Sequence, residues 1–203
     1  MSSLASLTLA DFIAQVGAKT PAPGGGAVAC TTGATAAAIA KMVVEYSIGK
    51  KNLIEHQPAL TLAAATLARL SVMFLALADE DAAAYSLVNE LSKLPETDER
   101  RMREYPGAAA AAVQAPRAAL AAAIDLLRLV DSLAPITNRH LKSDLAIAAI
   151  LGEAAAKAAW WNVAVNLPLI ADENQRGTAE SECRAEVEFA AARRASIELA
   201  LAT

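Results

Sequence analysis

The stretch from Thr20 to Lys50 reads "TPAPGGGAVACTTGATAAAIAKMVVEYSIGK" and joins two contrasting kinds of backbone. Its first seven residues hold two prolines and three consecutive glycines, which disfavour a helix interior. Nearly everything after them favours a helix, because alanine is the strongest helix former. A hinge, a tight crossing of two helices and a cradle for a ligand would all use this arrangement.

Alanine dominates the rest of the chain as well. The 203 residues include 52 alanines, whereas aromatic residues make up 4%. Alanine supplies little volume, so such a core has to be built from helices that approach one another closely. Runs of β-branched residues of strand length are missing. The composition therefore predicts an all-α fold, in which about six helices form one Ala-rich, close-packed bundle over residues 1–203.

Charge and residue usage exclude several classes of partner. The net charge of −4 is mild and the basic residues are dispersed, which argues against nucleic acid and anionic membranes. The apolar stretches at 27–40 and 107–124 are too short or too interrupted to predict a membrane span. We expect Cys30 and Cys183 to be reduced thiols in a cytoplasmic protein. The two histidines have no Cys, Asp or Glu at ligand spacing, so no metal site is expected.

Helix boundaries follow from capping residues, glycines and prolines. The charged stretch at 96–105 is expected to be a surface loop or a short helix. Pro116 is expected to kink the fourth helix, and Ser143 to cap the fifth. The six predicted helices cover residues 8–17, 25–48, 58–91, 107–133, 143–167 and 178–201.

Three adjacent acids interrupt the third helix, which is apolar for about two turns on either side. Asp79, Glu80 and Asp81 point about 100° apart from one another, so they cannot share one exposed stripe. At least one carboxylate should therefore face an apolar wall, where desolvation would raise its pKa toward the range of a general acid or base. An exposed patch in the middle of a helix, or pairing with distant arginines, remains the alternative.

The glycines and two asparagines offer a second kind of polar group. Backbone N–H groups at the start of the second helix can bind an anion or a carbonyl oxygen, although a sharp turn explains the glycines equally well. Asn162 and Asn166 share a face of the fifth helix and need partners, either in the core or in a ligand. Asp144 lies on the same side, about 27 Å away along the axis. An antiparallel pairing of subunits, or a long substrate, would bring both ends into use.

Several short motifs follow one another along the chain. They are "TPAPGGGAVA" at 20–29, "GK" at 49–50, "LADEDAAAY" at 77–85 with "KLP" at 93–95, "SD" at 143–144 and "NVAVNL" at 162–167. In this order they resemble the formiminotransferase-cyclodeaminase family of folate enzymes, in its branch of stand-alone methenyltetrahydrofolate cyclohydrolases. The resemblance implies an all-helical homodimer with a folate site in a groove that involves the subunit interface.

The resemblance also implies an activity and a set of site residues. The activity is hydrolysis of 5,10-methenyltetrahydrofolate to 10-formyltetrahydrofolate, with no cofactor beyond the folate substrate. Asp81 is the expected acid/base and Asp144 a second candidate. The expected substrate-binding residues are Pro23, Gly24, Gly25, Gly26, Lys50, Asp79, Asn162 and Asn166.

Two alternatives stay open at this point. One is the sister reaction, cyclodeamination of 5-formiminotetrahydrofolate with release of ammonia. The other is a catalytically inactive helical dimer that binds folate or serves as a structural partner. Three departures from the family pattern favour inactivity if they fill the groove: Ala27 after the glycines, and Trp160 and Trp161 before "NV".

Overall fold

The computed structural model describes residues 3–202, and helices account for most of them. The α-helices are α1 (Leu9–Val16), α2 (Gly25–Glu45), α3 (Gln57–Leu91), α4 (Glu99–Leu133), α5 (Lys142–Asn166) and α6 (Glu173–Ala202). Short 3-10 segments lie at Leu4–Ser6, Lys51–His56, Arg139–Leu141 and Leu167–Leu169. No strand occurs within residues 3–202, so the prediction of an all-α fold with about six helices is confirmed.

Some helix ends follow the local signals in the sequence. Thr8 caps α1, because its hydroxyl oxygen accepts a hydrogen bond from the backbone N–H of Asp11 at 3.1 Å. Gly17 follows the last residue of α1, and Pro58 lies in the first turn of α3. α2 ends at Glu45, three residues before the predicted end.

The start of α4 differs from the prediction. The helix begins at Glu99 rather than at residue 107, so most of the charged stretch is helical. Asp98 explains the difference, because its carboxylate accepts a hydrogen bond from the N–H of Arg101 at 3.0 Å. Arg100 and Glu104 then form an ion pair across one turn of the helix. Both prolines of this region, Pro106 and Pro116, lie inside α4.

The starts of α5 and α6 also lie earlier than predicted. Asn138 caps the short 3-10 segment that leads into α5, so Ser143 lies within the first turn of the helix and does not cap it. The carboxylate of Asp172 accepts a hydrogen bond from the N–H of Gln175 at 2.8 Å. α6 therefore begins at Glu173, five residues before the predicted start at 178.

Four helices form the core in a closed ring. α2 packs against α3, α3 against α4, α4 against α5, and α5 against α2, while α6 covers α4 and α5 from outside. α2 and α3 approach so closely that a Cβ on Gly33 would lie 2.5 Å from the ring of Phe74. α2 and α5 run antiparallel, since the far end of α2 is joined to the start of α5 by a hydrogen bond from the N–H of Asn138 to Ser47 Oγ.

Two parts of the molecule leave apolar side chains uncovered. α1 carries no buried residue. α2 and α5 together present a face whose large apolar side chains are exposed, and we call it the α2–α5 face. Its exposed members include Val28, Met42, Tyr46, Ile147, Ile150, Trp161 and Val165.

Three helical segments are long and apolar enough to cross a membrane, judged by length and composition alone. They are Gly25–Glu45, Lys51–Leu91 and Glu99–Leu133. The apolar stretches 27–40 and 107–124, which the sequence predicts to be too short or too interrupted for a span, lie within the first and third of these segments. That the protein has no membrane partner stays a prediction.

Candidate active site

Asp81 lies against the first turn of α2, where the glycines of the opening stretch begin the helix. A Cβ on Gly26 would lie 2.0 Å from Asp81 Oδ2 and 2.4 Å from its Cγ, so only glycine leaves room for this carboxylate. Burial in this contact raises the pKa of the Asp81 carboxyl above its ordinary value of 3.8. Glu80, its neighbour along the helix, is exposed. Glycine at position 26 therefore allows α2 and α3 to approach each other closely.

A cavity of about 250 Å³ opens beside this contact, at one end of the four-helix ring. Its walls come from the loop before α2 and from all four core helices. The lining residues are Pro21, Ala22, Gly24, Gly25, Gly26, Asp81, Ala82, Tyr85, Ala112, Asn162, Val165 and Asn166. Five of the eight predicted substrate-binding residues and one of the two predicted catalytic residues thus line one cavity.

The side chains of Asn162 and Asn166 each donate a hydrogen bond to a backbone carbonyl oxygen, which leaves their own amide oxygens available as acceptors. Asn162 Nδ2 donates to the carbonyl oxygen of Ala158 at 2.9 Å, and Asn166 Nδ2 donates to that of Ala112 at 2.8 Å. The side-chain oxygen of Asn162 faces α2, 3.4 Å from the position of a Cβ on Gly25. Each amide therefore keeps its oxygen free of these bonds as an acceptor.

The cavity has no basic side chain, since the residues that line it include no lysine, arginine or histidine. A carboxylate and two amide oxygens favour a ligand with positive charge or with N–H donors. The start of α2 adds the opposite kind of group, because Gly24 provides no side-chain cap and leaves N–H groups of the first turn as donors. A ligand that carries both a cationic centre and a carbonyl oxygen would match this lining.

Asp79 and Pro23 lie in an adjoining cavity of about 690 Å³, which shares Ala22 and Ala82 with the first. The carboxylate of Asp79 accepts hydrogen bonds from Ser3 Oγ at 2.6 Å and from the N–H of Leu4 at 2.7 Å. It thereby holds the N-terminal 3-10 segment on α3. Its predicted contact with substrate stays a prediction.

Lys50 and Asp144 do not reach either cavity within one chain. Lys50 follows the turn after α2, and Asp144 lies in the first turn of α5. Both positions belong to the end of the α2–α5 pair where Asn138 bonds Ser47, whereas Asp81 and Asn162 belong to the other end. One chain therefore divides the predicted site residues into two groups.

The three departures noted in the sequence do not fill the cavity. Ala27 is fully buried in the core, and Trp160 is buried with the guanidinium of Arg184 over its ring. Trp161 is 64% exposed on the α2–α5 face. None of the three is among the lining residues.

Both cysteines are buried. Burial, with the nearby negative charges of Asp81 and Glu80, raises the pKa of the Cys30 thiol to about 12. Burial also raises the pKa of Cys183. Within residues 3–202, no group of three or more His, Cys, Asp and Glu side chains converges on a common point, and the absence of a metal stays a prediction.

Several lining residues were not among the predicted site residues. Tyr85 follows Asp81 by four positions and therefore shares its helix face, a signal that the sequence did contain. Val165 has the same relation to Asn162 at a spacing of three. Ala112 carries no comparable signal, because its helix contains alanine at many other positions. Only packing of α4 against α5 places it in the cavity.

These features define a class of protein, an all-helical bundle with a small cavity built around one partly buried carboxylate. A family model described as formiminotransferase-cyclodeaminase matches residues 8–185. The chain belongs to the formiminotransferase-cyclodeaminase family.

Individual relatives agree with this assignment. Over 174 residues the chain is 33% identical to the formimidoyltransferase-cyclodeaminase of Gallus gallus, a match that covers 84% of this chain and 32% of that protein. The chain thus spans about a third of the length of this vertebrate relative. It is 28% identical to the methenyltetrahydrofolate cyclohydrolase of Methylorubrum extorquens over 163 residues, covering 78% of each.

A solved structure shares the fold. The formiminotetrahydrofolate cyclodeaminase of Thermotoga maritima superposes with a TM-score of 0.84 at 26% sequence identity. The match covers 97% of this chain and 96% of that one. Nearly the whole helical arrangement is therefore common to the two proteins.

Proposed function

We propose that the protein is a methenyltetrahydrofolate cyclohydrolase. The observation that carries the proposal is the Asp81 carboxylate, held against Gly26 in a cavity whose lining has no basic side chain. The methenyl bridge of the substrate is a cyclic amidinium and carries positive charge. The carboxylate stabilises that charge and lies in the setting of a proton acceptor. The cyclohydrolase of Methylorubrum extorquens, which matches over 78% of its own length, supports the choice of reaction.

The proposed reaction uses Asp81 twice. Water adds its oxygen to the bridging carbon, and Asp81 takes one proton from it. The bond from that carbon to N5 then breaks, and Asp81 gives the proton to N5. The remaining hydroxyl proton leaves as the carbonyl of the 10-formyl group forms, so each turnover releases one proton. Backbone N–H groups at the start of α2 are placed to donate to a folate carbonyl.

The test is the loss of methenyltetrahydrofolate absorbance with purified protein, measured above the non-enzymatic rate. We expect Asp81→Asn to reduce turnover by roughly 100-fold or more, because it removes the proton acceptor and the counter-charge. Glu80→Gln is the matched control, since it neutralises the exposed neighbouring carboxylate on the same helix and should keep turnover. Wild-type turnover in a folded Asp81→Asn protein would refute the assignment.

Cyclodeamination of 5-formiminotetrahydrofolate is the second candidate. It is favoured by the Gallus gallus and Thermotoga maritima relatives, whose names both contain cyclodeaminase. Its amidine carbon would occupy the same position beside Asp81, with ammonia as the leaving group. Ammonia release from the formimino substrate, without hydrolysis of the methenyl compound, would select it. Folate binding without either reaction would instead select the inactive dimer.

We further propose that the protein is a cytoplasmic homodimer joined through the α2–α5 face. A second copy fits this face because it is apolar and because the two groups of site residues lie at its opposite ends. An antiparallel pairing about a two-fold axis would place Lys50 and Asp144 of the second copy near the cavity of the first. The proposed dimer thereby gives Lys50 and Asp144 a place at the site, which they do not reach within one chain.

A further inference from the structure

Tyr85 is a large side chain at the cavity that the proposed chemistry does not use. It lies on α3 four residues after Asp81, about 6 Å further along the helix axis. Its side chain lines the cavity and is 50% exposed. Among residues 3–202 no hydrogen bond involves its hydroxyl, so the ring is not oriented by a polar partner. An aromatic face of this size beside a cavity is available to a ligand.

An apolar side chain from another helix lines the cavity with it. Val165 of α5 is 70% exposed and belongs to the same cavity as Tyr85. α3 and α5 are diagonal members of the four-helix ring, each packed against α2 and α4. The cavity is therefore lined by an aromatic ring from α3 and a branched aliphatic side chain from α5, with the acceptors Asp81 and Asn162 beside them.

The combination selects for both shape and charge. Tyr85 and Val165 supply apolar surface suited to a flat ring, and the face of an aromatic ring attracts a cation. Asp81, one turn before Tyr85, adds a second attraction for positive charge. A neutral ring of the same size would keep the apolar contact and lose both electrostatic contributions.

We propose that Tyr85 is a specificity residue that stacks on the cationic ring of the substrate and distinguishes it from the neutral product. The inference rests on the proposed function, in which the substrate is an amidinium and the 10-formyl product carries no charge on the opened ring. Tyr85 thereby strengthens substrate binding more than product binding. Product release is favoured because ring opening removes the charge that Tyr85 recognises.

The experiment compares Tyr85→Leu with Tyr85→Phe. Leucine keeps an apolar side chain but removes the π-face, so KM for methenyltetrahydrofolate should rise about 2- to 30-fold. The inhibition constant of 10-formyltetrahydrofolate should change by a smaller factor, and kcat should stay near wild type. Phenylalanine keeps the π-face and should preserve the KM. Tyr105→Leu is the matched control, since Tyr105 lies on α4, lines neither cavity and is not part of the α2–α5 face, and it should leave all three constants unchanged.

Each outcome decides the proposal. Equal weakening of substrate and product by Tyr85→Leu would show that the ring is only an apolar wall, and would overturn it. A Tyr85→Phe protein as impaired as Tyr85→Leu would assign the effect to the hydroxyl and would also overturn it. If wild-type protein neither binds nor converts the folate substrate, the proposed function fails together with this inference; an active wild type with unchanged Tyr85→Leu constants refutes this inference alone.

Discussion

Asp81 shows how far single residues can be predicted. The sequence predicts that at least one of three adjacent acids faces an apolar wall, and the structure confirms this by burying part of Asp81 and exposing Glu80. The pattern could not show which helix forms that wall. Contact with Gly26 depends on the packing of α2 against α3, which no local spacing in the sequence encodes.

The raised pKa of Asp81 has a consequence for stability. Its pKa in the folded protein lies above the ordinary 3.8 because burial disfavours the charged form. Between 3.8 and the raised value, the unfolded chain binds fewer protons than the folded one, so stability falls as pH rises. We expect Asp81→Asn to increase the free energy of unfolding at neutral pH relative to wild type. The gain should shrink as pH falls through this window and vanish below it.

Denaturant unfolding at several pH values measures this difference. Glu80→Gln serves as the control, because it changes the charge by the same amount at an exposed site. An Asp81→Asn protein whose stability relative to wild type does not depend on pH would show that Asp81 ionises as freely in the folded protein as in the unfolded chain.

At the scale of elements, the helices were more predictable than their ends. Glycine, proline and Thr8 signals predicted six helices, because these residues act on the backbone next to them. The start of α4 was missed because Asp98 caps a charged stretch that ion pairs then stabilise as helix. The role of the three consecutive glycines could not be predicted from the local sequence either. A sharp turn in the backbone and a close approach of two helices both favour glycine.

Gly26→Ala tests the close approach of α2 to α3. The added methyl group would lie 2.0 Å from Asp81 Oδ2, so the carboxylate has to move. Because small displacements of a catalytic group are costly, we expect turnover to fall roughly 100-fold while the fold is kept. Steady-state kinetics and the circular dichroism spectrum measure the two effects.

Two other glycines make the test specific. Gly33→Ala meets the Phe74 ring instead and should lower stability by about 1–3 kcal/mol without a defect in the site. Gly177→Ala has no atom within 4 Å in its path and should leave both activity and fold intact. Full activity of Gly26→Ala would mean that Asp81 tolerates displacement, and the site would need another proton acceptor.

At the scale of the whole molecule, the predicted site residues form two groups at opposite ends of the α2–α5 pair. The sequence already placed Asp144 about 27 Å from Asn162 along the helix, a distance that follows from helix geometry. It could not decide between an antiparallel dimer and a long substrate, because the pairing of surfaces is not a local property. The exposed apolar α2–α5 face favours the dimer.

Mixed dimers test the pairing. If each site combines Asp81 of one subunit with Asp144 of the other, the variants Asp81→Asn and Asp144→Asn should each be impaired alone. A mixed dimer would contain one intact site and one doubly altered site. Co-expression should therefore restore about a quarter of wild-type activity, since half of the dimers are mixed. Activity that stays at the mean of the two single variants would place the whole site within one subunit.

The recovery should depend on the α2–α5 face. Ile150→Glu introduces a charge at its centre and should convert the protein to monomers, measured by light scattering, and abolish the recovery. Leu199→Glu is the control, because Leu199 is also an exposed apolar residue but lies on α6, outside the face. A dimer that persists in Ile150→Glu would show that another surface joins the subunits.

The burial of both native thiols has a practical consequence for measuring how the two subunits of the proposed dimer are oriented. Cys30 is protonated up to about pH 12, and Cys183 is also shielded, so maleimide reagents should leave both unmodified at neutral pH. A single cysteine introduced by Glu188→Cys on the outer side of α6 would then be the one position labelled in each subunit. A pair of spin labels there would report a distance across the assembly, and the orientation of the two chains could be read without removing any natural residue from the interior.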